Sequence, residues 1–323
     1  MAGGQERILK RRILSVQSTK KITRAMELIA ASRIVRAQQG VHSAMPYSDH
    51  ITEVVRDLGA AGGSEARSPL LTARPEIKRV AHIVLTADRG LCGAYNSSVI
   101  RAAEGSIKEQ ADLGRDYALI LIGRKAESYF RYRDFKIDAV FTGFTDRPTY
   151  EDARRIGRAV TEPFLAGEFD MVELVYTRFI SAGSQEVVRR PLMPLERDVI
   201  EGGDGLPPEA DAEGVSASYE FEPSAATILE SLLPRYVEAR IFAALLNAAA
   251  SEHAARQRAM KSATDNADEL IKSLSRVMNR ARQDAITTEI MEIVGGAEAL
   301  RSGADAANTD DFLSHPGSLS DPS

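Results

Sequence analysis

The chain has 323 residues, of which 44% are hydrophobic and 6% aromatic, with no tryptophan, so the composition favours helices packed through small side chains over a thick globular core. The formal net charge of −5 gives no overall case for nucleic-acid binding, and the single cysteine excludes an intramolecular disulfide and suggests a reducing compartment. The five histidines occur singly, without metal-ligand spacing, so neither a metal nor a cofactor is expected.

Residues 1–58 are predicted to form a long N-terminal helix. Apolar residues recur at helical spacing, as at Leu9, Ile13 and Val16. Pro46 lies inside the pattern and predicts a kink there. No apolar run is long enough to span a membrane, and the beginning lacks the apolar core of a signal peptide, so we expect the chain to begin as mature protein.

Charge is distributed unevenly along the chain. Nine basic and two acidic residues lie from Glu6 to Arg36, whereas nine acidic residues and one basic residue lie from Glu196 to Glu222. A solvated helix face and a solvated acidic loop would account for both runs. The alternative is a basic helix that meets an acidic partner. A nucleic-acid-binding coiled coil is a further reading, but the basic stretch lacks the aromatic side chains that stack on bases.

A linker at residues 59–76 precedes a region of alternating patterns at 77–195. Apolar runs predict strands, and the stretches between them have helical character. This alternation predicts a Rossmann-like α/β domain with a mainly parallel sheet, followed by the acidic loop at 196–222. The predicted strands are 80–86, 117–123, 137–143, 171–180 and 186–195, and the predicted helices are 95–111, 124–131 and 149–166.

The sequence LTADRGLCGAYN, residues 85–96, joins the first of these strands to a helix. Phosphate-binding turns begin this way, but neither G-x-G-x-x-G nor G-x-x-x-x-G-K-[ST] is present. We predict instead a structural turn that Gly90 and Gly93 permit, with Leu91 and Cys92 packed inward and no catalytic residue. The open alternative is an α/β nucleotide-binding enzyme with a helical oligomerisation arm.

Residues 223–302 are predicted to form a second long helix, in spite of Pro234. At about 1.5 Å per residue such a helix is about 115 Å long, several times the width of a small domain. We therefore expect the two long helices to pair in antiparallel orientation and to project beyond the α/β domain. Residues 303–323 carry several aspartates and two prolines and are predicted to be disordered.

The end of the second helix is apolar on most sides. Ile286, Ile290 and Ile293 share one face, and Met291 and Val294 lie about 100° around the helix from it. A helix of this kind is usually buried all round. The pattern predicts either the core of a two-sided coiled coil or an end enclosed by another protein.

Three motifs in order identify a family. SVQSTKKITRAMELIAASRIVRAQ, TADRGLCGAYN and the block from SEHAARQ to GGAEAL resemble the γ subunits of F-type ATP synthases over about residues 2–300. The resemblance implies a non-catalytic rotor without a cofactor, a coiled-coil shaft inside three α and three β subunits. It implies a foot seated with the ε subunit on the membrane c-ring, peripheral to the cytoplasmic face of a bacterial plasma membrane. Such a rotor couples ion flow to conformational cycling of the catalytic β subunits.

The resemblance also assigns residues to three contacts. The β-subunit contact lies on both long helices, the apolar bearing at the end of the second, and the ring contact after the acidic loop. The β contact comprises Met26, Arg256, Arg282, Gln283, Thr287 and Glu289; the bearing comprises Ile286, Ile290, Met291, Ile293 and Val294; and the ring contact comprises Tyr219, Glu220 and Phe221.

Overall fold

The structure, a computed structural model, describes residues 2–62, 68–195 and 224–313. It divides into two compact units, one formed by Met1–Thr23 with Ala263–Ser323 and the other by Arg24–Ser262. Two long helices, α1 (Ala2–Gly62) and α5 (Ala225–Leu313), contribute to both units. None of the helices in the described ranges has a stretch apolar and long enough to cross a membrane.

The second unit contains a five-stranded sheet of order β3-β2-β1-β4-β5. The first strand pairs in parallel with β2 and β4, and β2 pairs in parallel with β3, whereas β5 is antiparallel to β4. This confirms the predicted α/β fold with a mainly parallel sheet. The elements between the long helices are β1 (Arg79–Leu85), α2 (Tyr95–Asp112), β2 (Asp116–Ile122), α3 (Arg124–Tyr132), β3 (Ala139–Phe141), α4 (Tyr150–Ala166), β4 (Met171–Phe179) and β5 (Gln185–Met193).

The sheet lies between two layers of helices. Successive strand residues point to opposite faces, so each strand contributes side chains to both layers. In β1, Ile83 and Leu85 belong to the core that includes buried residues of α1, α4 and α5. Val84, between them, belongs to the core formed with α2 and α3. The long helices thus cover one face of the sheet in the second unit.

In the first unit, α1 and α5 run antiparallel. Glu6 Oε1 lies 3.4 Å from Arg282 Nε, and Thr23 Oγ1 lies 2.8 Å from Thr264 Oγ1. The residue number on α5 falls as the number on α1 rises, which confirms the predicted antiparallel pairing.

The first long helix extends beyond its predicted end. It continues through Pro46, which removes one backbone donor, and ends at Gly62 instead of residue 58. Ala60 and Ala61 favour this extension because alanine is the strongest helix former. The predicted linker is correspondingly shorter, and its residues 63–67 lie outside the described ranges.

The second long helix also extends past its predicted end at 302, to Leu313. The prediction of disorder is therefore wrong for residues 303–313. Three alanines at 304, 306 and 307 favour helix more than the aspartates oppose it, and Pro316 follows the end. Residues 314–323 of the predicted tail and the acidic loop at 196–222 lie outside the described residues.

Candidate functional site

The turn after β1 places Cys92 inside and Leu91 outside. Leu91 and Gly93 both adopt left-handed backbone conformations, with φ of 62° and 58°. Cys92 is 1% exposed, and Asn96 Nδ2 donates to its Sγ at 3.1 Å. Leu91 is 61% exposed, contrary to the prediction that it packs inward, because the left-handed turn directs its neighbour and not Leu91 to the core.

The carboxylate of Asp88 joins the loops that follow three strands. Its Oδ2 accepts hydrogen bonds from the backbone N–H groups of Gly143 at 2.8 Å and Thr145 at 3.2 Å. Its Oδ1 accepts from the N–H of Arg124 at 3.2 Å. A side chain of the protein thus occupies the position where a bound anion would meet these donors.

The first turn of α3 is satisfied in the same way. Lys125 N donates to Ala87 O at 3.1 Å, and Ala126 N donates to Thr86 Oγ1 at 3.0 Å. Gly123, with φ of 91°, permits this approach, because a Cβ there would lie 2.2 Å from Thr86 O. These backbone N–H groups are the ones that a phosphate would need at a helix N-terminus.

Helix α5 covers the carboxyl end of β4. Ser251 Oγ donates to Thr177 O at 3.1 Å, and Asn247 Oδ1 accepts from Phe179 N at 3.2 Å. In open α/β sheets, ligands bind where the strand order reverses, which here is between β1 and β4. Side chains of α5 that bond to the end of β4 therefore occupy part of the position where a nucleotide would bind.

A buried ion pair ties α5 to the turn. Arg256 Nη2 donates to Glu252 Oε1 at 2.6 Å and to Gly90 O at 3.3 Å. Arg256 is 8% exposed and Glu252 is 1% exposed. Burial raises the pKa of Glu252, while the neighbouring Arg256 lowers it. The Arg256 guanidinium, which the resemblance assigns to the β-subunit contact, is therefore enclosed by its own chain, and its contact with a β subunit stays a prediction.

His253 lies beside this pair and is uncharged at neutral pH. Its Nε2 is 3.3 Å from Asp146 O, and the residue is 2% exposed. Burial lowers the pKa of His253 to about 4. The middle of α5 thus carries polar groups that its own chain covers.

The C-terminal part of α5, in the first unit, has the opposite character. Its large aliphatic side chains are 48% to 72% exposed. Large exposed apolar patches mark interaction surfaces more often than they occur elsewhere on a folded protein. The residues are Ile286, Ile290, Met291, Ile293 and Val294.

Polar residues of the same helix segment are exposed as well. Arg282 is 53% exposed in its side chain, and its ion pair with Glu6, at 3.4 Å, is of the weak surface kind. Thr287 Oγ1 donates to Gln283 O within the helix at 2.9 Å. Together with Glu289, which is also exposed, these residues form a polar band that overlaps the first residues of the apolar end.

The remaining predicted contacts fall elsewhere. Met26 belongs to the second unit, where it is half-buried. The predicted ring contact, residues 219–221, lies outside the described residues. Asp88 was not predictable from the sequence, because its hydrogen-bond partner Thr145 is 57 residues away and no motif links the two. The Glu252–Arg256 pair was not predicted either, although the spacing of four residues on a predicted helix indicates such a pair.

Comparisons with known proteins agree over nearly the whole chain. A family model described as ATP synthase matches residues 5–300. The ATP synthase gamma chain of Parafrankia sp. is 49% identical over 305 residues, which cover 93% of this chain and 99% of that protein. The ATP synthase gamma chain of Kineococcus radiotolerans is 50% identical over 309 residues, with coverage of 94% and 99%.

Solved structures share the fold at low sequence identity. A chain of the Euglena gracilis mitochondrial ATP synthase, in its OSCP/F1/c-ring assembly, has a TM-score of 0.61 at 17% identity and covers 94% of this chain and 96% of its own. A chain from the central stalk and c-ring of the Tetrahymena thermophila mitochondrial ATP synthase has a TM-score of 0.56 at 23% identity, with coverage of 75% and 99%.

Proposed function

The chain belongs to the ATP synthase gamma-chain family, and on this premise we propose that it is the non-catalytic rotor shaft that couples ion flow through a membrane ring to conformational cycling of catalytic β subunits. The exposed end of α5 is the observation that carries the proposal. Three large apolar side chains there, those of Ile290, Met291 and Ile293, are more than half exposed. A surface of this kind needs an enclosing partner.

An apolar end suits a rotating bearing. Burial of apolar area is favourable without requiring a fixed orientation, so an apolar sleeve can hold the helix end while the helix turns. Hydrogen bonds would instead fix one orientation because they are directional. The apolar side chains of this segment therefore suit enclosure, whereas directional contacts require its polar residues.

The polar band supplies the directional contacts. Arg282, Gln283, Thr287 and Glu289 are exposed and belong to one segment of about two helical turns. Bonds between this band and a β subunit form in some rotary positions and break in others. A shaft with different faces then favours different β conformations, and rotation is linked to nucleotide affinity on the partner.

The partners and the location follow from the same family. The proposed partners are three α and three β subunits around one copy of this chain, the ε subunit and the membrane c-ring. The proposed location is peripheral, at the cytoplasmic face of a bacterial plasma membrane. The solved neighbours come from assemblies that contain a c-ring, which supports this arrangement.

The experiment is a double variant, Arg282→Ala with Gln283→Ala, in the assembled complex. We expect normal subunit stoichiometry and a loss of about tenfold in both ATP hydrolysis and ion-driven synthesis, because a hydrogen bond to a charged group contributes roughly 1.5–3 kcal/mol. Asp284→Ala with Thr288→Ala is the matched control, because both residues are exposed in the same segment and face another side of the helix. Equal rates for the double variant and its control would contradict the proposal.

A further inference from the structure

A groove of about 400 Å³ lies at the carboxyl end of the sheet, within the second unit. The start of α2, strands β4 and β5 and the middle of α5 line it. Open α/β sheets bind ligands at this end, beside the point where the strand order reverses. The groove has the volume of a small-molecule site, so the side chains of α5 that bond to β4 leave part of this position open.

The helix end that borders the groove has no capping side chain. Ala94 is the N-cap residue of α2 and makes no side-chain capping bond. The leading N–H groups of a helix have no partner within the helix, and the helix dipole makes that end partly positive. Ala94, Tyr95 and Ser98 line the groove, so it adjoins a helix end of the kind that binds phosphate groups.

A buried hydroxyl group in the lining has no hydrogen-bond partner. Thr177 lines the groove from β4 and is 5% exposed. Its Oγ1 makes no hydrogen bond to any of the described residues. Burial of a hydroxyl group without a hydrogen bond is unfavourable, and most buried polar groups in proteins are paired. An oxygen of a ligand in the groove would supply the acceptor that Thr177 lacks.

The charge of the lining is positive. Arg258 is the one charged residue among the described residues that line the groove. Its guanidinium donates to Ala182 O at 2.6 Å and to Gln185 Oε1. Both acceptors are neutral, so these bonds hold the guanidinium in place without neutralising its charge. Glu252, the buried carboxylate of the preceding turns of α5, is already paired with Arg256.

The remainder of the lining includes small apolar side chains. Val187 lines the groove from β5, and Ala255 and Ala259 line it from α5. Burial of an apolar group against such side chains is favourable, whereas an inorganic phosphate ion would leave them uncovered. Guanidinium groups match the oxygen atoms of phosphate in geometry. The lining therefore fits a phosphate group that carries a small apolar substituent.

We propose that the groove binds a small organic phosphate, with its phosphate group at Arg258, Thr177 and the first turn of α2 and its apolar group on the alanines of α5. Free phosphate and phosphate monoesters share the anionic chemistry, and the apolar part of the lining favours a monoester. None of the described lining residues belongs to the exposed end of α5, so the site does not depend on the proposed rotor function.

The test is a titration of the full chain with phenyl phosphate at constant ionic strength, by calorimetry and by thermal unfolding. We expect saturable binding at one site and a rise in Tm, since a ligand that binds the folded state stabilises it. Phenol, which lacks the phosphate group, should bind at least about tenfold more weakly because charge-assisted hydrogen bonds are lost. Absence of saturable binding, or equal affinities for phenol and phenyl phosphate, would overturn the proposal.

A second titration, with inorganic phosphate, identifies the source of the anion. Weaker binding of inorganic phosphate, by about tenfold or more, is expected because the ring no longer covers the apolar lining. Equal affinities for inorganic phosphate and phenyl phosphate would overturn the monoester and assign the groove to free phosphate.

Variants locate the site. Arg258→Gln removes the charge, and Thr177→Val removes the hydroxyl group at nearly the same side-chain volume. Because the Thr177 hydroxyl has no partner in the free chain, Thr177→Val should weaken binding of phenyl phosphate without lowering Tm in its absence. Arg158→Gln on α4 is the matched control, because Arg158 is exposed and does not line the groove. The control should bind as the wild type does, and wild-type binding by both groove variants, or an equal loss in all three, would refute the site.

Discussion

The middle of α5 and its C-terminal end belong to one uninterrupted helix and have opposite surroundings. Every residue from 248 to 254 is buried, including the charged Glu252, whereas every residue from 286 to 294 is exposed, including three isoleucines. The middle covers charge within the chain, and the end presents apolar groups outward. From hydropathy alone, the isoleucine-rich end would be expected to be buried and the segment with Glu252 to be exposed. Coverage by the chain itself, and not residue type, therefore separates the enclosed groups of α5 from its exposed ones.

The largest expected difference between the two regions concerns their arginines. Arg256→Ala leaves Glu252 buried and uncompensated, so the free energy of unfolding should fall by roughly 3–5 kcal/mol. Arg282→Ala removes an exposed pair and should cost less than about 1 kcal/mol. Urea unfolding of the two purified variants provides the comparison. Similar losses would mean that Arg256 is not enclosed as described.

Isoleucines give the next comparison. Ile241 is fully buried in the core, so Ile241→Ala should lower the free energy of unfolding by about 2–5 kcal/mol. Ile290 is 54% exposed, and the same change there should stay within about 0.5 kcal/mol in the isolated chain. Denaturant titrations of both variants check this. A large loss from Ile290→Ala would show that the helix end is covered by its own chain.

The pH dependence of stability should depend on His253. Its pKa is lowered to about 4 from the ordinary value of 6.5, so the unfolded chain binds a proton there before the folded chain does. The stabilisation, up to about 3 kcal/mol, is present above pH 6.5 and lost as the pH falls towards 4. The raised pKa of Glu252 acts in the opposite direction.

Comparison with His253→Gln isolates the histidine from Glu252. The wild type should lose more stability than the variant between pH 7 and pH 4.5, measured by urea unfolding at each pH. A stability difference between the two proteins that stays constant with pH would show that His253 is not desolvated.

Cys92 provides the smallest effect. It is buried in the turn, so Cys92→Ala should cost on the order of 1 kcal/mol of stability. ATP turnover by the assembled complex should be unchanged, because the thiol has a structural position. Lost turnover in a complex of normal stoichiometry would assign Cys92 a further role.

The local features of the fold were predictable from the sequence. The first strand was expected at 80–86 and lies at Arg79–Leu85, and the helix expected at 95–111 is Tyr95–Asp112. Apolar periodicity predicts these elements because the spacing of apolar residues is set within one or two helical turns or within a single strand. The exposed apolar end of α5 was visible in the same way.

Features set by distant contacts were not predictable. The role of Asp88 depends on Thr145, and the enclosure of Arg256 depends on Gly90, 166 residues away. The outward position of Leu91 depends on its left-handed conformation, which is uncommon for leucine and has no sequence signal of its own. Such contacts decide which charged groups are available to partners.

Cysteine accessibility at position 290 tests the partner-facing role of the α5 end most directly. Ile290→Cys introduces an exposed thiol, while Cys92, buried and the only natural cysteine, contributes little background. The complex contains this chain and the α and β subunits only. Tyr132→Cys is the control, because Tyr132 lies on α3 and is 85% exposed. We predict rapid maleimide labelling of Ile290→Cys in the isolated chain and strong protection in the complex, with Tyr132→Cys labelled in both. Equal labelling of Ile290→Cys in the isolated chain and the assembled complex would contradict the assignment of this end as an enclosed bearing.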